Sequence, residues 1–259
     1  TMDSFTSDSN TNGVVANSGS TTTLTNSQIN DADVGVDVLG GADVSANGVD
    51  IDDSSIAVRT DGTNTVSMVG LDVDGTLGAS PTYGLFTTTT SSGTVSISNS
   101  DFEGISTAVY LQSDSVSISD TAINNGDTGI IVSSQSTASH VFDSVTLSGN
   151  DVSVKLDGTG TMSMSDVTIS SVTTDMEITD SSVVNFLDGE IDTNAVVFAT
   201  GATGMIDRDR SYVATLTADG APLANTNVMM SSKDAETTSS GMTDANGVTS
   251  GLSFSIYDL

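Results

Sequence analysis

The chain repeats itself about every 22 residues, and this repeat restricts the possible folds more than any other feature of the sequence. The fragments TTTLTNSQIN, TVSISNSDFE, SVSISDTAIN and TMSMSDVTIS align with one another without gaps. The alignment contains an anchor position that is always apolar, with steps of 22, 22, 29, 21, 24, 22 and 22 residues between successive anchors. The anchors are Leu24, Ala46, Met68, Ile97, Ile118, Phe142, Met164 and Phe186. A fixed period of this length is typical of solenoids, in which each repeat packs on its neighbours.

Two further apolar columns accompany the anchors. One lies five residues after each anchor: Ile29, Ile51, Val73, Phe102, Ile123, Leu147, Ile169 and Ile191. The other lies twelve residues after it, or seventeen in one long coil: Val36, Val58, Leu85, Val109, Ile130, Val154, Met176 and Phe198. Around the anchors apolar and polar residues alternate, which is the period of a half-buried strand. We therefore predict three short strands per coil and three parallel sheets around an apolar core.

A polar column two residues after the anchors marks a corner of each coil. It consists of Asn26, Gly48, Gly70, Asn99, Asp120, Ser144, Asp166 and Asp188. Glycine adopts positive φ without strain, Asn and Asp adopt it more readily than other residues, and Asn, Asp and Ser hydrogen-bond to their own turns. The column predicts a tight turn repeated once in each coil.

The three apolar columns and the polar corner resemble the right-handed parallel β-helix repeats of the pectin-lyase-like superfamily. The resemblance covers residues 1–206 and implies an all-β, right-handed parallel β-solenoid of about nine coils. Pectate lyases of this superfamily depend on an arginine base beside calcium, and its polygalacturonases carry Gly-His-Gly and Arg-Ile-Lys signatures. Neither signature occurs in this chain. The resemblance therefore implies a fold and no particular activity, since unrelated functions share this scaffold.

A second domain is predicted for residues 207–259. The repeat stops after Ile206, and the charged segment 207–210 is expected to be a short linker. The remaining residues alternate between strand and turn patterns. The segments 220–223 (Gly-Ala-Pro-Leu) and 243–247 (Thr-Asp-Ala-Asn-Gly) resemble immunoglobulin-like or carboxypeptidase-regulatory-like β-sandwich modules of secreted surface proteins. The unit is short for such a sandwich, so truncation or completion by another chain is expected.

The composition limits the environment and the partners of the chain. With 34 acidic and five basic residues its net charge is −29, which excludes nucleic acid as a partner and attracts cations. There is no cysteine, and no apolar run approaches the length of a membrane span. We expect an extracellular or cell-surface protein, with the chain a processed or excised piece.

Six carboxylates form the candidate metal site: Asp50, Asp52, Asp72, Asp74, Asp101 and Glu103. They lie four and six residues after three successive anchors, so stacking of the coils sets like charges about 4.8 Å apart. Calcium, which prefers six to eight oxygen ligands, would neutralise them. The alternatives are a solvated acidic face, or a carboxylate pair that cleaves glycans.

A second candidate site faces outward from the third strand of each coil and is expected to bind a ligand through Arg59, Tyr83, Phe86, Tyr110 and Lys155. An insertion at residues 77–83 is predicted to rise beside it and to wall a groove in which a glycan could lie. Exposed aromatic side chains often stack on sugars or bury in an interface. The alternative is a satellite core beneath the insertion.

The single histidine, His140, lies in an inward column and is expected to be buried with a hydrogen-bond partner, without a catalytic role. Together these patterns favour a non-enzymatic extracellular protein that serves adhesion, a surface layer or an appendage. The second hypothesis is a β-helix that binds or cleaves polysaccharides. Unpaired strands at the ends of a solenoid pair readily with other chains, so we also expect self-association or association with neighbouring surface proteins.

Overall fold

The computed structural model describes residues 1–75, 82–133, 136, 138–231, 238–249 and 251–258, with the backbone alone for 254–258. These residues form a right-handed parallel β-solenoid of about nine coils, followed by small antiparallel sheets. The predicted all-β fold is confirmed. Each coil has three faces, called here the first, second and third face in chain order.

The strands of the first four coils are β1 Met2–Asp3, β2 Thr6–Asp8, β3 Asn12–Ala16, β4 Thr21–Asn30, β5 Val34–Leu39, β6 Asp43–Asp52, β7 Ile56–Asp61, β8 Thr65–Asp74 and β9 Tyr83–Thr87. The next strands are β10 Thr94–Ser98, β11 Asp101–Glu103, β12 Thr107–Leu111, β13 Ser115–Ser119, β14 Ala122–Asn124, β15 Thr128–Val132, β16 Ser139–Asp143, β17 Thr146–Ser148, β18 Val152–Leu156, β19 Thr161–Ser165, β20 Thr168–Ser170, β21 Thr174–Ile178 and β22 Val183–Leu187. A short 3₁₀ helix, Thr193–Ala195, precedes β23 Val196–Phe198. The last strands are β24 Met205–Tyr212, β25 Thr217–Ala218, β26 Ala221–Pro222, β27 Asn227–Ser231, β28 Thr238–Met242 and β29 Leu252–Asp258.

The three predicted faces are present, but two of them share one sheet. In β4, β6 and β8 a ten-residue strand runs through the corner, so the first and second faces join in a sheet of 16 strands. The third face is a separate nine-stranded sheet that runs from β3 to β23. All pairs between coils are parallel and in register, which places each residue above its equivalent in the next coil.

The corner column adopts the predicted positive φ in all eight coils. The angle is 47° at Asn26, between 48° and 56° at its non-glycine equivalents, and 63° at Gly48 and Gly70. A left-handed residue reverses the side-chain direction within the chain, so apolar residues on both sides of the corner point into the core. The corner therefore lets one short segment contribute to two faces.

The core consists of the three predicted columns. All eight anchors are buried, and Phe102, Phe142 and Phe186 are the largest side chains that are fully enclosed. The prediction for Phe198 was wrong. That side chain is 37% exposed, and Val196 instead pairs with Met176. Val196 follows Met176 by only 20 residues, because the short 3₁₀ helix shortens this coil.

Two buried polar side chains in the turns, Asn64 and Asp114, are hydrogen-bonded, which offsets the cost of their desolvation. The amide of Asn64 accepts from the backbone N–H groups of Gly41 and Ala42 and donates to a carbonyl. Asp114, which is fully buried, accepts from the hydroxyls of Thr60 and Ser91. These contacts connect coils through their turns, and the bond from Thr60 to Asp114 spans two coils.

The solenoid continues beyond the predicted linker. Segment 207–210 lies in β24, which pairs in parallel with β22 up to Leu187 and Asp209. Strand β29 then pairs with β24 in the antiparallel direction and covers this end of the 16-stranded sheet. The residues between them form two antiparallel pairs, β25–β26 and β27–β28. The resemblance of this region to an immunoglobulin-like module stays a prediction.

We expect Ile118→Asp to abolish cooperative folding of the solenoid. Ile118 is fully buried and pairs with Ile97 and Phe142 in the adjacent coils. An unpaired carboxylate there costs several kcal/mol, and both neighbouring coils lose an apolar contact. Circular dichroism during heating measures the effect. The matched control is Ser117→Asp, one residue away on the exposed side of the same strand, and an equal loss in both variants would contradict the assigned inward and outward positions.

Candidate functional site: an acidic ladder and an aromatic ladder

The structure brings the six predicted metal ligands together in two parallel columns, named here the acidic ladder. One column consists of Asp50, Asp72 and Asp101, and the other of Asp52, Asp74 and Glu103. Their strands are β6, β8 and β11 of three successive coils on the second face. The apolar column between them points inward, so alternation along each strand directs all six carboxylates outward.

Amide side chains end the acidic ladder on both sides. The side-chain amide of Gln28 donates to Asp50 over 3.2 Å. At the opposite end Asn124 donates to Asp101 over 3.4 Å and Asn125 donates to Glu103 over 3.3 Å. The stack of carboxylates is therefore limited to three coils and lies between neutral hydrogen-bond donors.

Burial, together with the close approach of like charges, raises the proton affinity of the ladder. Burial, followed by the charge of Asp50 and a hydrogen bond with it, raises the pKa of Asp52 to about 6. Burial and neighbouring carboxylates also raise the pKa of Asp72, Asp74 and Asp101. Among the described residues, none of the six carboxylates has an ion-pair partner of opposite charge. The ladder is thus a site where bound protons or cations lower the free energy of the folded chain.

A surface depression of about 390 Å³ adjoins the ladder and is lined by Asp52, Asp53, Asp74, Gly75 and Glu103. A metal ion bound there would have carboxylate and turn oxygens available as ligands. Among the described residues, however, no three acidic, histidine or cysteine side chains converge closely enough to form a preformed metal cage. A bound cation would therefore require the exposed side chains to reorient.

The predicted ligand site divides into parts with different chemistry. Tyr83, Phe86 and Tyr110 form an aromatic ladder with ring centroids 4.9–5.5 Å apart. Phe86 and Tyr110 are nearly parallel, with an angle of 11° between their planes. The two ring faces pack against each other. This packing favours a role in joining the long coil, which contains Phe86, to the next coil, which contains Tyr110.

The two basic residues of this predicted site are engaged in ion pairs. Arg59 makes a bidentate pair with buried Asp37, at 2.8 Å from Nε and 2.6 Å from Nη2. This contact raises the pKa of Arg59. Lys155 lies two coils beyond Tyr110, near Glu177 and Asp157 at 3.8 and 3.9 Å. The structure thus brings Arg59 beside the aromatic ladder and leaves Lys155 apart from it.

The predicted groove wall at residues 77–83 lies largely outside the described residues, which resume at residue 82. His140 is buried, as predicted, and its Nε2 lies 3.0 Å from the hydroxyl of Ser136. Burial lowers the pKa of His140 to about 4, so the ring is neutral at physiological pH.

A second corner lies seven residues after the anchors, and its positive φ was not predicted from the sequence. It has positive φ at Ser9, Asp31, Asp53, Gly104, Asn125 and Gly149. Of these, Asp53 borders the depression beside the acidic ladder, and Gly104, Asn125 and Gly149 border a larger groove of about 680 Å³. The signal was present in the sequence as a column of Asp, Asn, Ser and Gly at one fixed offset.

Comparison with known families agrees with this geometry. Residues 83–209 match the family described as "Right handed beta helix region". The match covers the coils from β9 into β24 and ends at Asp209, within the parallel pairing of the last coil. No curated protein and no solved structure shows significant similarity to the chain. Among the described residues, no helix is long and apolar enough to cross a membrane.

We expect Asp52→Asn to stabilise the protein at pH 7. The folded chain binds the Asp52 proton more tightly than the unfolded chain, whose ordinary pKa is 3.8. In the parent, the bound proton contributes its full share to the free energy of unfolding below about pH 4, and this contribution is lost as the pH rises through about 6. In the variant, Asn is neutral at every pH. Because solvent screens the partly exposed ladder, we expect Asp52→Asn to raise the free energy of unfolding by about 1 kcal/mol or less.

Thermal melting between pH 4 and 7 measures this effect, because the difference between variant and parent should grow with pH. His140 titrates in both proteins and cancels in the comparison. The control is Asp43→Asn, since Asp43 has Thr21 and Thr65 as its stacked neighbours. A difference that is independent of pH, or equal in the control, would contradict the assignment of the shift to the ladder.

Proposed function

We propose that the chain is a non-enzymatic extracellular structural or adhesion protein whose acidic face holds calcium. The observation that carries this proposal is the acidic ladder, in which six carboxylates of three coils stack in register. Uncompensated charges at this spacing destabilise the fold, and a divalent cation between coils would turn the repulsion into an attraction. The rod would then be rigid where calcium is abundant.

Two side chains suited to acid–base catalysis are engaged in structural contacts, which favours a non-enzymatic role. His140, the single histidine of the sequence, is buried and neutral. Arg59 is held by Asp37 in a bidentate ion pair, so it is poorly placed to act as a base. A solenoid that presents long repetitive faces is instead suited to spacing, display and adhesion.

Association with further copies or with neighbouring surface proteins is part of this proposal. Among the described residues, β3 pairs only with β5 and β23 pairs only with β21. At β23 the nine-stranded sheet therefore presents a strand edge, and Val197 adds exposed apolar surface beside it, at 46% exposure. Edges of this kind favour pairing with another chain.

We expect millimolar calcium to raise the melting temperature and chelator to reverse the effect. A ligand that binds only the folded state stabilises it by about 2.7 kcal/mol at a concentration 100 times its Kd. The double variant Asp52→Asn/Asp74→Asn should lose most of the response, since it removes two adjacent ligands. Asp43→Asn is the matched control outside the ladder.

Calcium should be compared with sodium chloride at equal ionic strength, because screening alone also relieves repulsion. A larger shift with calcium that requires the ladder supports the proposed site. Equal shifts with both salts, or an undiminished calcium response in the double variant, would leave a solvated acidic face as the better explanation.

The second candidate function is binding or cleavage of a polysaccharide, and the aromatic ladder is the observation in its favour. Incubation with a panel of neutral and acidic polysaccharides, followed by analysis for shortened products and unsaturated ends, tests cleavage. Binding is tested by titration with the parent and with Tyr110→Ala. We expect no product and no affinity that depends on Tyr110. Formation of a product, or binding that Tyr110→Ala weakens, would replace the structural proposal with the glycan one.

A further inference from the structure

The anchor column ends on a charged residue. Strand β24 pairs with β22 in register, which places Ile206 beside Val184 and Arg208 beside Phe186. Ile206 is fully buried, so β24 keeps the inward and outward alternation of the solenoid. Arg208 therefore occupies the anchor position, which is apolar in each of the eight coils with anchors from Leu24 to Phe186.

The surroundings of Arg208 are those of a core position in the last parallel layer of the stack. Its guanidinium carbon lies 5.9 Å from the centroid of the Phe186 ring. Its Nε is shielded from solvent and has no hydrogen-bond partner among the described side chains. Burial, followed by the charge of Arg210, lowers the pKa of Arg208. The side chain thus covers the last apolar layer with a cation.

The neighbouring Arg210 has a different role and supplies an internal comparison. Its Nη1 donates to the backbone carbonyl of Asp188 over 2.9 Å. Ser211 donates to the carboxylate of Asp188 through its backbone N–H, over 2.7 Å, and through its hydroxyl. These contacts close the corner of the preceding coil and do not involve the anchor column.

The strand that follows β24 in the sheet does not extend the repeat. Strand β29 is antiparallel to β24, and its register shifts between Arg208 and Asp209. A parallel coil in this place would press an apolar anchor onto Arg208 and remove the rest of its guanidinium from water without a counter-ion, which is strongly unfavourable. Inward-pointing charges are a known means by which edge strands resist further pairing.

We propose that Arg208 is the stop residue of the solenoid, whose charge at the anchor position, together with the antiparallel strand β29, prevents a further coil or a second copy of the chain from stacking on β24. It closes the end of the 16-stranded sheet, whereas the nine-stranded sheet remains open at β23. Association of the protein is thereby directed away from the end of the first face.

The test is self-association of the full chain with Arg208→Leu, measured by light scattering across a concentration series. We expect the weight-average mass to rise above that of the parent at equal concentration, towards a twofold increase or beyond, because an apolar anchor would let a second copy displace β29 and stack on β24. Arg208→Met should behave in the same way. Arg208→Lys, which keeps the charge, and Arg210→Leu, which removes a charge from the adjacent corner, should match the parent.

Circular dichroism and melting establish that the variants remain folded, so that association is not confused with aggregation of unfolded chains. The proposal is overturned if both apolar variants keep the mass of the parent, or if Arg210→Leu associates to the same extent. Loss of cooperative folding in both apolar variants would also overturn it, because the charge is proposed to limit stacking and not to hold the coils together.

Discussion

Equivalent residues of successive coils lie directly above one another, about 4.8 Å apart, because all pairs between coils are parallel and in register. Every side chain therefore has its own counterparts as its nearest neighbours. An apolar residue therefore packs against apolar residues in the coils above and below it, whereas a charged residue is repelled by the like charges of its neighbours. The columns of the core, the corners and the acidic ladder are all consequences of this one constraint.

The same constraint explains where the coils vary in length. Steps between anchors range from 21 to 29 residues, yet the residues on either side of each anchor keep their pairing. Additional residues lie in the turns, since an insertion within a strand would shift every following side chain to the opposite face. Buried turn residues such as Asn64 and Asp114 then supply hydrogen bonds between coils that strand pairing does not provide.

Much of this fold follows from the sequence, because periodic burial leaves a periodic pattern. The anchor column and the positive φ of the corner at Asn26 and its equivalents were both predicted and confirmed. The register of Phe198 was predicted wrongly, because a shortened turn leaves no periodic signal in the final coil. The antiparallel pairing of β29 with β24 joins distant segments whose sequences carry no common pattern. The contact of Arg59 with Asp37 depends on side-chain geometry that periodicity alone does not specify.

Stacking opposes stability in the acidic ladder, where six carboxylates of three coils lie close together, and for that reason the ladder is closely tied to the proposed function. A crystal structure of the protein grown with calcium tests this connection most directly. The account predicts an anomalous peak beside Asp52 and Asp74, with carboxylate oxygens of adjacent coils about 2.3–2.6 Å away. Density for all six carboxylates at high calcium, with no such peak between them, would contradict it.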